Sequence, residues 1–333
     1  ENQKVIDNIT VVSQNLVLES LENTQTSAGY YTFRNASLAK YNINGKEQLV
    51  YVSPREIDNG TSSYNNKTYE YTHGIGQIVT SATEVTEDGN VQYLQKSIDG
   101  QDNIYNVTEP RIYYGLETNS IVVTNTKNKT EYDYTDSNGE EHTYNYSGDS
   151  GIQVGFFDRL ILALKNGDIK LAMSNTVTNE SKILTNRNII ERAQTALPYL
   201  IYDENPYTVI SNGEIYWVLD AYTVSDKYPY STYTEVEYDG AKKDINYIRN
   251  SVKVLINAYD GKMTFYITDR TDPIIMAYLK MYPTIFSDYT GKEIPDDIKS
   301  QLKYPEYLYK IQAEMLRVYH NVKEDVLYRN SDI

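Results

Sequence analysis

The chain contains no cysteine in 333 residues. That excludes disulfides, thiolate nucleophiles and Cys-ligated zinc together, so a chain of this size must hold itself by its core. Histidine is nearly as scarce, with only His73, His142 and His320. No close histidine pair exists for a zincin, and no Gly-x-Ser-x-Gly elbow supplies a serine for a histidine to activate. Neither standard glycine-rich phosphate loop occurs, which argues against nucleotide chemistry. Nor is there a run of about 18 apolar residues to span a membrane. Basic residues are outnumbered 46 to 31, for a net charge of −15. That argues against nucleic acid, whose phosphates need clustered Lys and Arg, and against adhesion to an anionic membrane surface.

What is abundant is tyrosine: 35 residues, against five Phe and one Trp. An AT-rich genome would produce much of that excess, together with the many Asn, Ile and Lys. Tyrosine also suits half-buried strands and binding surfaces, because its ring buries area while its hydroxyl seeks a partner. The start, Glu1-Asn2-Gln3-Lys4, is neither an initiator Met nor a signal peptide, so the chain reads as a piece of something longer.

Apolar periodicity predicts helices at about 5–23, 153–165, 186–197, 273–286 and 305–320. In the second, Val154, Phe157, Leu160, Ile161 and Leu164 share a face; in the last, Leu308, Ile311, Met315 and Tyr319 form the expected inner face. Between the helices, β-like runs flank the turn pairs Asn44-Gly45, Asn138-Gly139, Asn212-Gly213 and Asp260-Gly261. The fold class expected is α+β: mostly antiparallel sheet with several inserted helices and a helical C-terminal segment. Residues 1–30 read as a helical lead-in and 31–333 as one large domain. A change of pattern near Gly151 suggests subdomains 31–150 and 151–333.

The stretch Pro198 to Ser231 holds the only tryptophan, Trp217, among tyrosines and acids. Its carboxylates Asp203, Asp220 and Asp226 are weak catalytic candidates, since glycoside hydrolases pair two carboxylates among aromatics that stack on sugars. Glu204 lies beside them. The structural alternative pairs these acids with Arg187, Arg192 and Arg249 as buried ion pairs. Binding candidates are Trp217, Tyr202, Tyr222, His73 and Arg249. His73 also reads as a half-buried histidine bonded to backbone. Asp133, Asp136 and Asn138 before Gly139 faintly suggest a calcium loop, but the spacing is wrong for an EF-hand and a solvated turn fits better. No metal ligand set is assigned.

Several stretches together carry a family resemblance. They include YVSPREI (51–57), YTHGIG (71–76), PRIYYG (110–115) and EYDY (131–134). SKILTNRNIIER (181–192), NYIRNSVKVLINAYDGKMTFYITD (246–269) and KYPEYLYKIQ (303–312) continue it, with YDENPYTVISNGEIYWVLDAYTVSDKYPYS within the central stretch. From about Tyr30 to its end the chain resembles the uncharacterised protein family 0182 of large bacterial integral membrane proteins. The resemblance implies a large extracytoplasmic domain that follows several N-terminal transmembrane helices, on the outside of a Gram-positive cell. It implies as partners those helices and a cell-envelope component or membrane protein, and it carries over no catalytic residue. Three readings follow. The first is a non-enzymatic domain for interaction or ligand binding at the envelope, with no cofactor. The second is an envelope-glycan hydrolase using paired carboxylates, and the third a calcium-dependent structural module.

Overall fold

The helix Gln14–Gln25 of the computed structural model buries Val17 and Leu21, four residues apart and so on one face. Ile9 and Leu16, apolar residues within the expected span 5–23, are exposed. The structure describes residues 6, 8–25, 30–43, 45–57, 62–100, 102, 104–153, 155–238 and 241–329. Expectations resting on Val5, Asn44, residues 58–61 and Val154 lie outside them.

The helix packs on a four-stranded antiparallel sheet in the order Ser37–Ile43, Lys46–Pro54, Gln77–Val85, Val91–Gln95. Side chains alternate across it. Tyr51 and Ile78 join Val17 and Leu21 in one cluster, whereas Val50, Val52 and Val79 join Tyr41 in another. Both faces of the central strands are therefore covered, which is why YVSP reads as a continuous run of buried residues. A three-stranded antiparallel sheet of Ile152–Gln153, Lys182–Leu184 and Val122–Thr124 follows. A hairpin, Glu131–Thr135 with Glu141–Tyr144, carries a bulge between Tyr132 and Tyr134.

The chain forms two compact units that do not part near residue 150. The first takes residues 1–195, 207–217 and 256–263; the second takes 196–206, 218–255 and 264–333. A change of local pattern cannot reveal this, because two short later segments return to the first unit. One of them contains the predicted Asn212-Gly213 turn, with φ of 51° and 80°, joining Tyr207–Ser211 to the strand Glu214–Ser225.

In the second unit, Ile201–Tyr202 pairs antiparallel with the later part of Glu214–Ser225, and the sheet continues through Tyr247–Asn257 to Met263–Ile267. Thr234–Tyr238 and Ala241–Ile245 form a regular hairpin. Helix Pro273–Met281 starts at Asp272, whose carboxylate accepts from the Ile274 amide at 2.9 Å. The long helix Glu306–Tyr319 begins after Pro305. The architecture is α+β, as expected, with small antiparallel sheets and inserted helices. Among the described residues, no helix is long and apolar enough to cross a membrane.

Candidate functional site

Two polar clusters compete for a functional reading, one in each unit. In the first, Glu131 is buried and accepts from the Thr72 hydroxyl at 2.6 Å, the Tyr113 hydroxyl at 2.6 Å and the Tyr146 amide at 3.1 Å. Its neighbour Asp133 receives Arg111 in a two-pronged contact of 3.0 and 2.7 Å, with His73 Nε2 at 3.2 Å. Burial by itself would raise the Asp133 carboxyl, but His73 and Arg111 outweigh it and hold it below the ordinary carboxylate range. The Arg111 guanidinium stacks 3.5 Å from the centre of the Tyr144 ring. His73 Nδ1 meets the Thr72 hydroxyl at 2.8 Å, so both its nitrogens are engaged and the ring is fully buried. Trp217 is likewise buried, its indole N–H donating to the Tyr114 carbonyl at 2.9 Å. Glu131, Asp133 and His73 are thus committed to partners within the cluster.

Arg187 holds the backbone beside them. It pairs with no acid of the Pro198–Ser231 stretch. Its guanidinium donates to the carbonyls of Tyr113 at 2.7 Å, Ser120 at 3.1 Å and Thr72 at 2.6 Å. Arg192 likewise donates to the Gly261 carbonyl at 2.9 Å. Burial lowers Arg187 to about 10, with nearby Tyr114, Tyr113, Glu131 and Glu56 opposing the shift. The sequence shows the charge but not the three inward-turned carbonyls that bind it.

The second cluster lies beside a groove. Asp203 and Asp220 are both buried, and the Asp203 amide donates to the Asp220 carbonyl at 2.9 Å. The Asp203 carboxylate accepts from the Tyr222 hydroxyl at 2.7 Å and the Asn205 amide at 3.0 Å. Asp220 pairs with the Lys253 ammonium, and burial raises its carboxyl despite that partner. Tyr202 is buried and donates to the Leu197 carbonyl at 2.7 Å. Asp226 lies at the surface with Lys227, at 2.8 Å. The three candidate carboxylates therefore do not form one open pair.

Around this buried core runs a groove along helix Glu306–Tyr319, with two lobes of about 560 and 530 Å³ that share Ile248, Arg249, Leu308 and Gln312. One lobe is aromatic and apolar, walled by Tyr228, Tyr233, Tyr247, Ile311, Met315 and Tyr319. The Tyr228 and Tyr247 rings stack at 5.5 Å, and the pair is held by Asn246, which accepts from the Tyr228 amide and donates to its carbonyl. The Tyr247 hydroxyl is fixed by Asp272 at 2.8 Å. The other lobe presents Arg249, Lys253 and Lys303, with Asp269 as its one acid. Arg249 reaches Asp269 at 2.7 Å and the Thr271 hydroxyl at 2.8 Å. Partial burial pushes the Lys303 ammonium down to about 7, against the pull of Glu306 and Asp220.

Of the five predicted binding residues, only Arg249 lines the groove. His73 and Trp217 are packed inside the first unit, and Tyr202 and Tyr222 are buried in the second. The expected inner face of the last long helix is another correction. Leu308, Ile311, Met315 and Tyr319 wall the groove, and none of the helix is fully buried. Lys253, Lys303, Tyr228 and Tyr247 escaped sequence reasoning. Their one local signal is lysine placed inside apolar or aromatic runs, as in SVKVLI and QLKYPEY. At the suggested calcium loop, Asp136 accepts from the amides of Asn138 and Glu140, both at 2.9 Å, while Asp133 points into the buried cluster. Among the described residues, no three His, Asp or Glu side chains are grouped to hold a metal.

The molecule is thus an α+β protein whose second unit carries a groove aromatic at one end and cationic at the other. The chain belongs to the Uncharacterised protein family (UPF0182), whose model it matches over residues 1–333. It is 41% identical, over its whole length, to a UPF0182 protein of Caldicellulosiruptor saccharolyticus. It is 40% identical over 96% of its length to one of Clostridium novyi strain NT, and 40% identical over its whole length to one of Clostridium botulinum strain Loch Maree. It spans 35 to 36% of the length of these relatives. No solved structure matches it.

Proposed function

We propose that this chain is an extracytoplasmic domain of a multi-pass bacterial membrane protein. It binds an anionic ligand of the cell envelope in the groove along Glu306–Tyr319. The observation that carries the reading is the groove's division of labour. In a chain of net charge −15, three of the four ionisable residues on one lobe are basic, with Lys303 gaining its charge as pH falls through about 7, and tyrosines wall the other. Such a site suits a ligand with a phosphate or carboxylate on a sugar or polyol body: the cations take the anion, and the tyrosine faces and hydroxyls take the rest. Binding is favoured over hydrolysis because Asp203 and Asp220 are buried and committed to Tyr222 and Lys253.

Calorimetric titration of the chain with polyol-phosphate polymers, muropeptides and neutral glycans tests the reading. Binding is expected for the anionic ligands, and Arg249→Ala is expected to weaken it. Absence of binding to every anionic polymer, or equal affinity for neutral glycans, would overturn it. The location is tested separately by adding protease to intact cells carrying the full-length protein with a tag in this domain. Cleavage is expected; protection in intact cells with cleavage after lysis would place the domain inside.

A further inference from the structure

The helix Phe156–Lys165 shows a face that the sequence pattern assigns to a core and the structure turns to solvent. Positions 157, 160, 161 and 164 fall within one third of the helical circumference. Arg159, Leu162 and Ala163 occupy the opposite side. There Ala163 is buried with Leu171, Tyr69, Val123 and Ile183, with Leu162 against them, and Arg159 donates to the Ser174 and Val177 carbonyls. Asp168 starts a second short helix, Ile169–Met173, accepting from the Leu171 amide and the Tyr64 hydroxyl. The pair is seated through Arg159, Leu162, Ala163 and Leu171. Five other large apolar residues lie on the outside: Phe157, Ile161, Leu164, Ile169 and Met173 are 64 to 78% exposed. A cluster of this kind exceeds the isolated apolar side chains normal on a soluble surface.

We infer that this helical pair is a lipid-docking surface, whose apolar side chains enter the interfacial region of a bilayer. Three observations favour lipid over a protein partner. First, no tyrosine occurs between Tyr146 and Tyr199, in a chain with 35 of them. Protein interfaces are rich in Tyr, Trp and Arg, and this face has none of them; besides Phe157 and Met173 it is aliphatic. Second, residues 156–173 carry Arg159, Lys165 and Lys170 against Asp158 and Asp168, a local net charge of +1 within a chain of −15. Lys165 and Lys170 are exposed where the two helices meet and can reach headgroups while the apolar residues sink. Third, the surface is largely helical and its junction is hydrogen-bonded as well, the Asn166, Gly167 and Asp168 amides donating to the Leu162, Leu164 and Ala163 carbonyls, so most of its backbone tolerates an apolar medium. The inference is independent of the groove and of the side of the membrane on which the chain lies.

Flotation of the 333-residue chain with vesicles of phosphatidylcholine, alone and mixed with phosphatidylglycerol, tests it. Co-flotation is expected with both. The pair of changes Ile161→Ser and Met173→Ser should reduce partitioning roughly tenfold or more, since each removes a side chain's worth of apolar transfer. A Met173→Trp variant provides a second reading that does not depend on that pair folding. Its emission should shift blue on adding vesicles and be quenched by brominated acyl chains, while Trp217 stays buried and silent. No flotation at any lipid concentration, absence of quenching, or a lipid-indifferent chain that dimerises through Ile161 and Met173 would overturn the inference.

Discussion

The Glu131–Asp133 cluster and the Asp203–Asp220 cluster contain the same chemical parts: two acids, a cation and tyrosine hydroxyls. They differ in what surrounds the cation. Arg111 is stacked under Tyr144 and clamped on Asp133, and Arg187 nearby spends its guanidinium on three carbonyls. Both guanidinium groups donate to acceptors within the first unit, so the arrangement fixes loops rather than offering itself to a ligand. In the second unit, Lys253 and Lys303 lie at the boundary between a buried acid and an open lobe, beside Arg249. The same residue types make a staple in one setting and a site in the other. The deciding quantity is whether the cation is enclosed by carbonyls and rings or lines an open lobe.

The strongest way to break this contrast is to remove the staple. Arg187→Met orphans three carbonyls, two of them fully buried, and should cost roughly 3–5 kcal/mol of stability, measured by urea unfolding. A loss below about 1 kcal/mol would mean the carbonyls find other donors and the cluster is not structural.

The contrast should also appear in pH dependence. Glu56, in the first unit, is pushed up to about 7, its burial outweighing the backbone amides of Glu117 and Leu116. Between its ordinary value of about 4.3 and about 7, folded Glu56 keeps a proton that the unfolded chain has lost, so stability falls as pH rises. Lys303 acts in the opposite sense. Between about 7 and the ordinary lysine value of about 10.4, the unfolded chain holds a proton that folded Lys303 has released, so stability rises with pH. Thermal melts from acid to alkaline pH should show Glu56→Gln flattening the acid limb and Lys303→Met the alkaline one. Identical limbs in wild type and variants would refute both assignments.

A smaller effect is expected at Gly261, which has φ of +69° and where an added Cβ would come 2.5 Å from the Tyr114 ring. Gly261→Ala should cost roughly 1–3 kcal/mol, read from the denaturation midpoint. A neutral result would show that the turn and the ring shift together.

Arg249→Ala sharpens the other side of the comparison. Its pair with Asp269 is partly exposed, so stability should change by less than about 1 kcal/mol. Affinity for an anionic ligand should nevertheless fall roughly tenfold, the loss of one charged hydrogen-bonding partner. Affinity should also strengthen as pH drops through about 7, because Lys303 then gains its charge. A calorimetric profile flat in pH would remove Lys303 from the site.

Much of the fold was legible because local physics fixes it. Asn212-Gly213 had to turn, since both positions take positive φ. Helices Ile189–Ala196, Pro273–Met281 and Glu306–Tyr319 fall within the spans that apolar period and proline placement define. The family was legible from long stretches such as YVSPREI and NYIRNSVKVLINAYDG, and the α+β class from hairpin turns alternating with helical periods.

What only the tertiary structure decided is which side of each element faces what. The sequence marks an apolar face on Phe156–Lys165 and on Glu306–Tyr319, but periodicity carries no information about whether another element covers it. One face is left to solvent, and the other walls a groove. Nor does sequence reveal carbonyl direction, so Arg187 looked like a partner for Asp203 or Asp220 and proved a backbone staple. Trp217, the most conspicuous residue in the chain, is buried and bonded, while the lysines of ordinary-looking strands and turns line the site. Local propensity is set by near neighbours in the chain. Exposure and charge environment depend on residues brought together from far apart, and here they separate a core from a site.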